Sequence, residues 1–164
     1  KFQPGSQTDW KIANINALIT GVYSAIKNIN NNMEFGISPA ANVNNDIEMG
    51  ADVQTWGKTP GYLDYICPQV YFNFENEILP FDKSASQWRS IVSCKDIKLY
   101  YGLGVYKAGS DADNGTWKSS DDILKRQVEY CRQTGCDGFM LFSFDDLQRV
   151  QAGNEIANVM KVLN

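Results

Sequence analysis

Leu63-Asp64-Tyr65-Ile66-Cys67-Pro68-Gln69-Val70-Tyr71 reads as the core of a strand running over residues 63–72, apolar and aromatic almost throughout. Strands of that kind are covered on both faces, as in a parallel sheet. Side chains alternate along a strand. Ile66 and Val70 therefore fall on one face, which suits packing against helices, while Tyr65, Cys67, Gln69 and Tyr71 fall on the other. An amide on the inner face of a sheet is costly unless hydrogen-bonded. Gln69 is thus a hook for a polar ligand or a core hydrogen bond, and its place at the C-terminal end of the strand favours the ligand. Asp64 stands at the N-terminal start of the strand and belongs to its opposite, stabilising end.

Outward from this strand, the chain alternates. A short strand over 34–38 is closed by Pro39. A third strand is expected over 97–105 and a fourth over 138–144. Helical patterns fill the intervals. Ile15, Leu18, Ile19, Val22, Ile26 and Ile29 recur at three- and four-residue steps behind a Thr8 N-cap, and the Asn-rich run at 28–32 ends them. A short helix is expected over 44–56, broken by Gly57, Pro60 and Gly61, and another over 84–92. Ser119-Ser120-Asp121-Asp122 caps a helix carrying Ile123, Leu124, Gln127, Val128 and Cys131, which Gly135 stops. A last helix covers about 154–163. The order is one helix and then four βα units, which predicts an α/β fold with a parallel sheet. The residues leave two architectures open: a four-stranded open sheet complete in itself, or half of a (β/α)8 barrel, which takes about 250 residues.

Composition excludes several chemistries. The chain has 164 residues, 43% hydrophobic and 21% charged, which is a globular balance and the length of one α/β unit. It has no His, which removes Ser-His-Asp and Cys-His catalysis and His-ligated zinc. A net charge of −4 argues against nucleic-acid binding. No apolar run approaches the ~20 residues of a membrane span. Lys1-Phe2-Gln3-Pro4-Gly5 carries no signal-peptide pattern and no initiator Met, so the chain reads as an excised or processed piece. The four Cys are too few for a disulfide scaffold; Cys67 reads as a buried small hydrophobe, and Cys131 and Cys136 lack CxxC spacing. They point to no catalytic or metal role.

Ligands bind at the C-terminal ends of parallel strands in either architecture. In the third strand Tyr100, Gly102, Gly104 and Tyr106 share a face, and the two glycines leave room for a ligand or for a bulky neighbour. Gly102-Leu103-Gly104 is no dinucleotide fingerprint, because no third Gly follows and no helix opens there. The loop Asp111-Ala112-Asp113-Asn114-Gly115 reads as solvated more than as a calcium loop, since its Gly stands one place early. Trp117 either stacks on a ligand or covers the edge of the core; Trp10, Trp56 and Trp88 read as packing residues. Without His, acid–base catalysis falls to carboxylates. Asp145, Asp146 and Glu75 are the candidates, with Glu77 beside the last, although Asp145 and Asp146 also stand where a helix N-terminus wants them. No pair of catalytic acids emerges.

Taken together, Asp9-Trp10-Lys11 through Asn14-Ile15-Asn16, Phe35-Gly36-Ile37-Ser38-Pro39, the 63–71 stretch, and Lys98-Leu99-Tyr100-Tyr101-Gly102-Leu103-Gly104-Val105-Tyr106-Lys107 resemble the bacterial glycosyl-hydrolase-like family ten. Residues 138–144 are compatible, and the resemblance runs over about 8–144. Asp-Tyr-Ile-x-Pro-Gln-x-Tyr is its most specific element. The resemblance implies a (β/α)8 barrel protein, exported or lipid-anchored and so extracellular or in the cell envelope, that cleaves a cell-wall or related glycan. It implies that residues 1–164 are the C-terminal half-barrel, strands five to eight. The family's Asp-Asp-Tyr type motif would then lie before Lys1, and the chain alone would be inactive. By position Ser38, Gln69, Tyr71, Tyr106 and Lys107 would face the sugar, with Trp117 beside them. No metal or organic cofactor is implied. The partners implied are a glycan, and either the other half of the barrel or a second copy of the chain across exposed strand edges. Two departures stand out: Ala40-Ala41-Asn42-Val43 replaces a bulky Phe-Gly-Ile-Trp stretch, and Ile12 stands where an Arg is usual. The competing readings are a non-catalytic carbohydrate-binding domain and an independent α/β domain for another small ligand.

Overall fold

The computed structural model describes residues 6–163. Four strands form the sheet: β1 (Gly36–Ile37), β2 (Tyr65–Ile66), β3 (Lys98–Gly104) and β4 (Gly138–Phe142). They lie side by side in chain order and every neighbouring pair is parallel. The helices are α1 (Gln7–Ile29), α2 (Val43–Met49), α3 (Val53–Trp56), α4 (Phe81–Ile91), α5 (Thr116–Ser119), α6 (Ile123–Thr134) and α7 (Gly153–Leu163). The sequence predicts this mixed α/β order of alternating units, and the arrangement is consistent with part of a (β/α)8 barrel.

The strand expected over 63–72 forms a regular ladder only at Tyr65–Ile66 and resumes as single bridges from Gln69 to Ala40 and to Gly102. Pro68 explains the gap. It has no N–H to donate, while its carbonyl accepts the Gly102 N–H at 2.9 Å. The N-terminal ends of two strands are closed by aspartates. Asp64 donates its N–H to Phe35 O at 2.7 Å and accepts the Phe35 N–H on Oδ2 at 2.7 Å. Asp137 repeats this with Leu99, at 2.8 Å each way. Burial alone would raise the Asp64 carboxyl; the Lys27 ammonium at 2.8 Å and the Phe35 N–H outweigh it and hold the group below the usual carboxylate range.

One face of the sheet is core. Ile66, Val70, Leu99, Tyr101, Leu103 and Val105 are buried under Trp88 and Ala85 of α4 and Leu124 and Val128 of α6. Each such aliphatic side chain stabilises the fold by roughly 1.5–3 kcal/mol. Trp88 also donates its indole N–H to Ala41 O at 3.0 Å. The other face is sparsely covered: Met140 and Phe142 of β4 are 42% and 53% exposed. All-parallel sheets are normally covered on both faces.

Three local predictions differ from the structure. Ser6 caps α1, because Asp9 at the third helical position completes a reciprocal capping box with it; Thr8 lies inside the helix. The expected helix over 44–56 is two helices parted at Gly50, whose φ is +94° and whose absent Cβ would sit 2.6 Å from Lys11 Cβ on α1. Trp10, read as a packing residue, is 63% exposed. No helix among the described residues is long and apolar enough to cross a membrane.

Candidate functional site

At the C-terminal end of the sheet the two glycines of β3 make room for a side chain of β2's own segment. A Cβ on Gly104 would lie 3.1 Å from Tyr71 Cβ and 3.1 Å from the Tyr106 ring; one on Gly102 would lie 3.3 Å from the Tyr71 ring. Tyr71 therefore lies across β3 and stacks on Phe142, with ring centroids 5.4 Å apart and planes 18° from parallel. Tyr106 stands edge-on to both, at 5.7 Å and 6.3 Å. The result is a three-ring surface, open at Tyr106 and Phe142. Burial pushes the Tyr71 hydroxyl up to about 12, so it keeps its proton and can donate as well as accept. Phe142 was not among the sequence candidates. The signal was available: Gly138, Met140 and Phe142 alternate in phase with Tyr100, Gly102 and Gly104 across the paired strands.

Gln69 is exposed beside this surface, its backbone bridged to Gly102. Its Nε2 donates to Ser38 O at 3.1 Å, which ties the ends of β1 and β2 together. No described residue donates to its Oε1, so that oxygen is available to a hydroxyl of a ligand. Ser38 is exposed next to it. Behind the corner, Asp46 of α2 is buried and accepts the Ala40 N–H on Oδ1 at 3.0 Å; burial pushes its carboxyl up to about 6.

Lys107 and Trp117 point elsewhere. Both bind Asp113: Lys107 Nζ at 3.2 Å and the Trp117 indole N–H at 2.8 Å. Asn73 N–H and Asn76 Nδ2 donate to the same carboxylate, each at 3.2 Å. Burial alone would raise Asp113, but the hydrogen bonds from Trp117 and Lys107, the lysine charge and the Asn73 N–H outweigh it and hold the group below the usual range. Asp113, Asn114 and Gly115 have φ of +50°, +59° and +77°. The loop read as solvated is thus an ordered clasp between the segments after β2 and β3. Trp117 has no exposed surface, so of its two sequence readings the structure supports core cover, not ligand stacking. A cleft of about 250 Å³ lies against the clasp, lined by Glu75, Asn76, Glu77, Ile78, Asp113 and Asn114.

The candidate acids do not converge into an evident pair. Glu75 is ion-paired with Arg126 at 3.2 Å. Asp146 is buried; its Oδ2 accepts the Ser143 hydroxyl at 2.7 Å and N–H at 3.1 Å, and its Oδ1 lies 2.9 Å from Arg149 Nε. The Ser143 bonds hold its carboxyl low. It closes the turn after β4, the role its position also predicts. Asp145 is exposed, with no ion-pair or side-chain hydrogen-bond partner among the described residues. No three His, Cys, Asp or Glu among the described residues are grouped as metal ligands.

Comparison with known proteins adds the family. The chain is 30% identical over 171 aligned residues to the protein named Glycosyl hydrolase DigH of Escherichia coli (strain K12), an alignment covering 93% of this chain and 39% of the relative. It is 29% identical over 162 residues to Glycosyl hydrolase YngK of Bacillus subtilis (strain 168), covering 88% of this chain and 31% of the relative. The chain thus spans about two fifths of the first relative's length and less of the second's. No solved structure matches it. Residues 3–119 match the family model described as glycosyl hydrolase-like 10. That match takes in β1, β2, β3 and the clasp after them, and the chain belongs to the glycosyl hydrolase-like 10 family.

Proposed function

We propose that this chain is the sugar-positioning part of a glycoside hydrolase acting on a bacterial cell-wall or related polysaccharide, outside the cell or in its envelope. The observation that carries the reading is the strand-end surface: the Gln69 amide with its free acceptor oxygen beside the Tyr71, Tyr106 and Phe142 rings. Flat rings take the C–H faces of sugars, and a few placed polar groups fix their orientation. Glycoside hydrolysis needs one carboxylic acid to protonate the leaving oxygen and a second carboxylate as nucleophile or as base for water. Glu75 and Asp146 are already engaged, and Asp145 alone is not a pair. We therefore assign the acids largely to the remainder of the protein. That remainder also covers the sparsely covered sheet face as the other half of a barrel.

The test compares residues 1–164 with the longer protein on peptide-free bacterial cell-wall glycan strands, reading the release of reducing ends. The longer protein releases them and residues 1–164 do not. Gln69→Ala lowers kcat/KM of the longer protein about fivefold, the loss of one hydrogen bond of ~1 kcal/mol. Binding without release by the longer protein would instead support a non-catalytic carbohydrate-binding domain. Release by residues 1–164 would return the chemistry to Asp145 and its neighbours.

A further inference from the structure

We infer that Cys131 and Cys136 form a dithiol that a low-molecular-weight disulfide converts into an intrachain disulfide closing the last turn of α6. The two residues stand on either side of Gly135, the left-handed C-cap of the helix, with φ +70°. The N–H groups of Gly135 and Cys136 both turn back to Cys131 O, the latter at 3.4 Å. A turn of that type folds the residue after the cap against the last helical turn. It sets the Cys136 backbone and sulfur against the Cys131 carbonyl, the close approach a disulfide between them requires.

The Cys136 side chain already folds back onto the last turn of the helix. Cys136 Sγ lies 3.2 Å from Cys131 O and 3.4 Å from Gly138 O. Cys131 is buried and Cys136 half-buried, so an oxidant meets Cys136 first. The neighbouring Cys131 thiol draws the Cys136 thiol below its ordinary value, whereas Cys136 and burial push Cys131 up. The accessible partner is therefore the one that supplies thiolate. Neither residue takes part in the strand-end site. β4 begins at Gly138, two residues beyond Cys136, so a disulfide here would fix the entry of the strand that carries Phe142.

The exchange balances with glutathione disulfide as the oxidant. Cys136 thiolate attacks one glutathione sulfur, and the broken S–S bond leaves with the other as thiolate. Cys131 then gives up its proton and its sulfur attacks Cys136 Sγ, expelling the second glutathione. Two electrons and two protons pass from the cysteines to yield two glutathione molecules.

A tryptic map reads the product directly. Trypsin cuts after Arg126, Arg132 and Arg149, which places Cys131 in the peptide 127–132 and Cys136 in 133–149. The chain is incubated with glutathione disulfide, alkylated and digested without reduction. The expected main product is these two peptides joined, from an intact chain two hydrogens lighter, separating on reduction. Cys67, buried and pushed up to about 11, stays a free thiol as an internal control. Cys131→Ser should trap glutathione on Cys136. Recovery of both wild-type cysteines as free thiols, or only as glutathione adducts, would overturn the inference and leave an apolar turn contact. The wild-type map needs no variant to fold.

Discussion

Tyr71 stacks on Phe142 across the two glycines of β3, 5.4 Å between centroids. The relationship joins three strand segments through one pair of rings. It also resolves the two uses open to Gly102 and Gly104: the space they leave is filled by a side chain of the protein, and the surface proposed to take a sugar is the outside of that ring cluster.

Gly104→Ala tests this packing. The added methyl meets Tyr71 Cβ, which cannot swing away as the tip of a flexible side chain can. We expect a loss of ~1–3 kcal/mol from overpacking, read by denaturant midpoint. Phe142→Ala should act differently. Its ring is half exposed, so stability should change little, while loss of a stacking face should weaken glycan binding by the longer protein about fivefold, ~1 kcal/mol. Equal effects of both variants on stability would contradict the assignment of Phe142 to the ligand surface.

Asp113→Asn tests the clasp. The substitution keeps the size and removes the charge that Lys107 and Trp117 share. Lys107 would be left largely buried without its partner, at a cost of roughly 2–3 kcal/mol. The sign with pH follows from the lowered carboxyl. Its contribution is fully present above the ordinary aspartate value and is lost as pH falls through the lower folded value. The variant's stability profile should be flatter than the wild type's in that acid range.

Glu155→Ala probes a cap that comes from a distant part of the chain. Both oxygens of Glu155 on α7 accept N–H groups at the start of α6, from Ile123 at 3.0 Å and Leu124 at 2.9 Å. Removing them orphans two buried donors, and we expect a loss of ~2–4 kcal/mol. Asp122→Ala, at the N-cap position but without a side-chain capping bond, should cost much less.

The contrast between Glu155 and Asp122 marks what the sequence can express. Alternation and helical spacing are local, so the βα order, the Gly135 stop and the buried face of Leu99, Tyr101 and Leu103 are legible in it. Gln69 stands out in the sequence because its amide interrupts an apolar run at a strand end, and the structure leaves it exposed there. What depends on spatial partners is not legible. Glu155 lies 32 residues from Ile123, whose N–H it accepts. Lys107 reads as ligand-facing, and Trp117 as either ligand-facing or core cover, until Asp113 takes them both. Thr8 reads as the cap of α1, but Asp9 pairs with Ser6 instead.

Asp46 carries a second pH prediction, of opposite sign. Burial raises its carboxyl to about 6. The folded chain then holds a proton that the unfolded chain releases near 4, so this group's contribution falls as pH rises from about 4 to about 6. Asp46→Asn removes the charge and keeps an acceptor for the Ala40 N–H. The variant should be the more stable at pH 7, by roughly 1–3 kcal/mol, and the difference should vanish towards pH 4. Urea unfolding of both proteins across that range decides it. A variant less stable than the wild type at pH 7 would show that the carboxylate is paid for by a partner at the Ser38–Ala40 corner.

The sparsely covered face of the sheet leads to the last prediction. β1 and β4 are the outer strands, and their outer edges have no strand partner among the described residues. Met140 and Phe142 add exposed apolar surface between those edges, and Trp10 and Leu18 of α1 are more than 60% exposed. Open edges beside an apolar face invite pairing with another chain. Residues 1–164 alone should therefore dimerise or aggregate. Met140→Lys should weaken that association, because a charge on the sheet face opposes burial without touching the core behind it. Sedimentation equilibrium measures both. A clean monomer at high concentration would mean that the sheet is complete with four strands, and it would turn the reading from a half-barrel towards an independent α/β domain.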